Sequence, residues 1–115
     1  MRARLAFAAL LLSAPAAVLA HHGWGSFDAS KRITVEGPIQ TSSYTNPHVT
    51  VTVKAPDQVW TVILAPVSRM QTRGATKELV AAGKTIKAEG HPSKSHKGEM
   101  RAERIILDGK TFEMR

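Results

Sequence analysis

From Ile33 onward the chain alternates apolar and polar residues in short runs. Ile33, Val35 and Ile39 share one face of the stretch Ile33 to Gln40, which predicts a strand. Gly37-Pro38 inside it predicts a bulge or bend, as where a strand curves around a small barrel. Thr45-Asn46-Pro47 reads as a turn. His48 to Lys54 alternates most cleanly. Val49, Val51 and Val53 point one way; His48, Thr50, Thr52 and Lys54 point the other. Ala55-Pro56-Asp57 makes a hairpin turn into a third strand, Gln58 to Ala65, which is apolar on both faces near its end.

Pro66 opens a short helical stretch, Val67 to Arg73, and Gly74 closes it. Thr76 caps a further turn, Lys77 to Ala82, ended by Gly83. Lys84 to His91 is a fourth strand, with Ile86 and Ala88 on one face and Thr85, Lys87, Glu89 and His91 on the other. A basic loop, Pro92 to Gly98, leads to a fifth strand, Met100 to Leu107. Asp108-Gly109 is a tight turn into a short last strand, Lys110 to Met114. Three strands, a helical connection, then two or three strands predict a mainly β fold. The expectation is a small five-stranded OB-like barrel with one short helical connection between strands 3 and 4. An open antiparallel sheet packed by the same helix is the alternative.

The N-terminus has a different pattern. Arg2 and Arg4 precede an apolar run, Leu5 to Leu12, and Val18-Leu19-Ala20 suits a cleavage site. Residues 1–20 therefore read as a secretory signal peptide, residues 21–32 as an extended arm, and residues 33–115 as the OB-like β domain. An earlier cut after Ala16 is the second choice. An uncleaved anchor is the other alternative, but the run is short of the roughly 20 residues a span needs and contains Pro15. A signal of this type implies export, most simply to a bacterial periplasm. In the arm, Trp24 and Phe27 are the large apolar residues, and packing the arm onto the body is their simplest role.

Composition narrows the chemistry. The 115 residues suit one small domain, and 22% charged residues do not signal disorder. There is no cysteine, which excludes disulfides, cysteine-ligated zinc, iron–sulfur clusters, a thiol nucleophile and a lipoprotein anchor. Losing Arg2 and Arg4 with the leader lowers the net charge from +7 to +5 on 95 residues. Lys84, Lys87, Lys94, Lys97, Arg101 and Arg104 cluster in the fourth and fifth strands and their loop. A basic OB-like groove could suggest nucleic acid, but export and 5% aromatics argue against it. Anionic lipid headgroups or acidic envelope glycans fit better, and a solvated basic surface interleaved with Glu89, Glu99 and Glu103 is the simplest reading.

An ordered set of short motifs resembles DUF6152, a family of small exported bacterial proteins of unknown function. The set runs from His21-His22 and Ser26-Phe27-Asp28 through Val35-Glu36-Gly37, Asn46-Pro47-His48, Trp60 and Arg73-Gly74. It continues with Gly83 to Ile86, Glu89-Gly90-His91-Pro92-Ser93-Lys94 and Leu107-Asp108-Gly109-Lys110. Tyr44 stands where the family usually has tryptophan, and the helical connection is unusually rich in Met, Gln and Arg. The resemblance implies a fold and a compartment, and it leaves the activity open.

Candidate chemistry rests on histidine. Cleavage after Ala20 makes His21 the first residue, so its α-amine and imidazole can chelate one metal. Such a nitrogen-rich set suits Cu(II) first, with zinc or nickel behind. His22 can bind through amine, amide and ring. His48 is the best distant ligand, on a polar strand face after a proline-fixed turn, and Asp28 could ligate or orient. A flexible polar start and a turn histidine are the plain alternatives. His91 and His96 read as solvated loop residues. No phosphate loop, Gly-X-Ser-X-Gly elbow or His-Glu-X-X-His motif occurs, so no enzyme is expected. The function expected is a periplasmic, non-enzymatic binding protein, with His21, His22 and His48 as the metal set. The alternative is an envelope interaction module for a protein, glycan or anionic lipid, with no metal and no transmembrane segment after processing.

Overall fold

One long strand changes partners midway, and that change lets the sheet close. In the computed structural model, which describes residues 23–115, this strand is Ile33–Ser43 (β1). Its first half, Ile33 to Pro38, pairs antiparallel with Thr85–Pro92 (β4). Its second half, from Ile39, pairs antiparallel with Thr50–Lys54 (β2). Proline has no N–H for a ladder, so the handover falls at a residue that could not continue one. A Cβ on Gly37 would run into the Lys54 carbonyl, so β1 can cross β2 this closely only with glycine there. The bulge itself lies slightly later than expected, between Ile39 and Thr41.

β2 pairs antiparallel with Val59–Ile63 (β3), and β3 pairs in parallel with Glu99–Leu107 (β5). β5 pairs antiparallel with β4. The ring β1-β2-β3-β5-β4 is thus a closed five-stranded barrel, as the strand order predicts. Lys110–Glu113 (β6) adds a hairpin to β5 outside the ring. Asp108 and Gly109 have φ of 48° and 74°, the two left-handed positions of a type I′ turn.

The alternation seen in the sequence becomes inside and outside. Val49, Val51, Val53, Ile86, Ala88 and Ile105 are buried in one core, while Lys54 and Thr85 remain exposed. The helix Val67–Thr72 (α1) connects β3 to β4 and sends Met70 into that core. Gly74, at φ +84°, follows it. Thr76 accepts from the Leu79 amide through its Oγ at 3.3 Å, but Lys77 to Val80 form turns, not a helix. Tyr44 packs on the core and donates to the Ala75 carbonyl at 2.7 Å, which ties its ring in place. No helix among the described residues is long and apolar enough to cross a membrane. Residues 1–20, expected to be a signal peptide, and His21-His22 lie outside the described residues.

Candidate functional site

The arm is built into the body by local hydrogen bonds. Asp28 accepts from the Ser30 amide at 3.0 Å and the Ser30 hydroxyl at 2.5 Å, closing a turn. Those bonds, chiefly the hydroxyl's, hold the Asp28 carboxyl below its ordinary value. Asp28 donates its amide to the Pro92 carbonyl, and Lys94 donates to Ser26, so the arm runs beside the end of β4. Phe27 is buried there.

Trp24 then folds back over the outer face of the barrel. The Arg101 and Arg115 guanidinium carbons each lie 4.4 Å from its ring centroid. Arg101 is 4% exposed, in contrast to the solvated basic surface expected for its cluster. Burial lowers its pKa from the usual arginine value, and the neighbouring Arg69 and Arg115 charges act the same way. A tryptophan face against a desolvated guanidinium is a favourable partner for such a charge.

His91 is also not a solvated loop residue. It sits at the end of β4, its side chain only 12% exposed. Its Nδ1 lies 2.6 Å from the Lys31 carbonyl, which can only accept, so Nδ1 carries the proton. Its Nε2 faces Glu103 at 3.4 Å. Glu103 also accepts from Arg115 at 3.1 Å and lies 3.8 Å from Arg32. Burial pushes the Glu103 carboxyl up, but hydrogen bonds and charges from His91 and Arg115 outweigh it, and the net displacement is downward. Arg104 bridges Glu89 and Glu113. Part of the basic cluster in β4 and β5 is therefore paired.

His48 sits beyond the other end of β1, in a groove with Ser43, Thr45, Asn46, Pro47 and Thr50. Its loop is tied to the helix, because the Asn46 side-chain oxygen accepts from the Val67 amide at 3.2 Å. The Asn46–Pro47 peptide is cis. Thr50, which lines the same groove, relates His48 to the arm through the strand register. Thr50 pairs with Ile63, and Ile63 pairs with Arg101, so the residue beneath Trp24 is two strands from Thr50. At strand spacing this is about 10 Å. Among the described residues no three His, Asp or Glu side chains gather as a metal set. The spacing of His48 from His21 and His22 lies outside them.

A separate hollow of about 370 Å³ opens between the β2–β3 hairpin and the β4–β5 loop, with Trp60, Lys94, His96 and Lys97 on its wall.

Neither the Trp24–Arg101–Arg115 stack nor the His91–Glu103 pair is among the expectations from the sequence. Trp24, one of two large aromatics in the arm, is the signal for the stack, but its partner Arg101 lies 77 residues away.

Among curated proteins none matches the chain. The barrel is similar to part of the crystal structure of a ZRD-deleted mutant of TiaS in complex with agmatine. The TM-score is 0.53 at 14% identity, over 76% of this chain and 27% of that one. The chain thus spans about a quarter of that protein, and at this identity the likeness concerns the fold alone. The model of the family of unknown function DUF6152 matches residues 8–101, which include every motif of the ordered set except Leu107-Asp108-Gly109-Lys110, and the chain belongs to that family.

Proposed function

We propose that this is an exported, non-enzymatic binding protein of the bacterial periplasm that holds Cu(II). After cleavage behind Ala20, the His21 amine and ring would chelate the ion, with His22 and His48 completing a nitrogen-rich set. Cu(II) favours tetragonal nitrogen donors, and zinc or nickel would follow it. The observation that supports the reading is that Thr50, which lines one groove with His48, lies two strands from the residue beneath Trp24. Trp24 rests on Arg101, whose neighbour across two strands is Thr50. Asp28 is engaged by Ser30 through Oδ1 and so braces the arm.

The test is a Cu(II) titration of protein processed to a free His21. It is compared with protein carrying one extra N-terminal residue and with His48→Ala. Affinity well below about micromolar Kd in the processed form, with at least tenfold loss in each variant, supports the site. Equal affinities in all three remove it, and the envelope interaction module without metal is then the reading that stands.

A further inference from the structure

We propose that the hollow between the β2–β3 hairpin and the β4–β5 loop binds a negatively charged sugar unit. The inference is independent of the copper reading, since it uses none of His21, His22 and His48. The hollow measures about 370 Å³, within the range of small-ligand sites. Trp60 packs partly against the core and lines the hollow with the rest of its ring, and its indole N–H is directed to Asp57 at 3.3 Å, which sets the ring's orientation. Aromatic faces suit the C–H face of a sugar ring because they bury apolar area while leaving hydroxyls to polar neighbours. Lys94 and Lys97 stand on the opposite wall, both exposed, with no carboxylate at ion-pair distance among the described residues. They are suited to a carboxylate or sulfate as mobile point charges. Ser95 and His96 add hydrogen-bonding groups, their side chains 2.9 Å apart, and Glu99 lines the base.

The loop is held before any ligand arrives. The Ser93 hydroxyl accepts from the amides of Ser95 and His96 at 3.3 and 3.0 Å. The Ser93 amide donates to the Glu99 carbonyl, and the Thr61 amide donates to Gly98, each at 2.8 Å. Lys94 is tied by its amide to Ser26 of the arm. A pre-ordered loop lowers the entropic cost of binding.

The probes are a galacturonate trimer, free galacturonate, a neutral glucose trimer and vesicles containing phosphatidylglycerol, each titrated into the folded protein and followed by amide and indole NMR shifts. The expected result is saturable binding of the galacturonate trimer, with shifts at the Trp60 indole and residues 93–98, at least tenfold tighter than the glucose trimer. Lys94→Ala/Lys97→Ala should weaken it at least tenfold at an unchanged melting temperature, and Trp60→Phe should weaken it less. Free galacturonate binding as tightly as the trimer would identify a single free sugar acid as the ligand source. Equal binding of the neutral trimer, shifts elsewhere, no effect of the lysine pair, or binding to vesicles with none to either acid would overturn the proposal.

Discussion

Arg101 and Trp24 form a stacked pair, the guanidinium carbon 4.4 Å from the ring centroid, although 77 residues separate them in the chain. The contact places a buried charge of the barrel wall against the arm, so the arm contributes to the stability of the barrel. Trp24→Ala is expected to cost about 2 kcal/mol, the sum of two cation–π contacts and the lost aromatic burial. Urea unfolding of the two proteins measures it. A change below about 0.5 kcal/mol would mean the arm rests on the barrel without stabilising it.

Acid should weaken the fold in a defined window. The folded Glu103 and Asp28 carboxyls lie below their ordinary values of 4.5 and 3.8. A carboxyl lowered on folding stabilises the native state above its unfolded pKa, and that contribution disappears as pH falls through the folded value. Stability should therefore be level near neutrality and decline below about pH 4.5. Glu103→Gln should flatten the upper part of that decline. Urea midpoints measured from pH 3 to 7 decide this, and an identical slope in the variant would exclude Glu103 as a source.

Gly90 marks a close approach between β4 and β5. A Cβ there would collide with the Arg101 carbonyl and the Ala102 Cα. Because these are backbone atoms in a closed ring, they cannot swing aside. Gly90→Ala should destabilise by about 2 kcal/mol or more. Gly25→Ala, where nothing lies within 4 Å of the added carbon, should stay within about 0.5 kcal/mol. Thermal melts of both variants test the contrast, and equal melting temperatures would refute it.

Met70 is the side chain α1 commits to the core, at 0% exposure. Met70→Ala should cost about 2–4 kcal/mol through lost burial and the cavity left behind. A denaturation curve showing less than about 1 kcal/mol would mean the helix can collapse inward to refill the space.

Much of the fold could be read before the structure. Val49, Val51 and Val53 declare an inner face because a strand's side chains alternate regardless of what surrounds it. Asp108-Gly109 and Gly74 declare turns because positive φ is a local requirement. The order of strands and helix then permits few closed sheets. Candidate ligands were legible only as residue types. His48 lies just before β2 and is half-buried, and His91, expected to be solvated, is largely covered.

The sequence by itself determined the strands, the turns, the barrel order and the family, because each depends on residues near one another in the chain or on their order. Tertiary structure decided which outward-facing groups are solvent-exposed and which are covered. His91 meets the carbonyl of Lys31 across 60 residues, and Arg101 is covered by Trp24. Strand alternation assigns a residue to the outer face, but it carries no record of the arm that closes over that face once the barrel has formed.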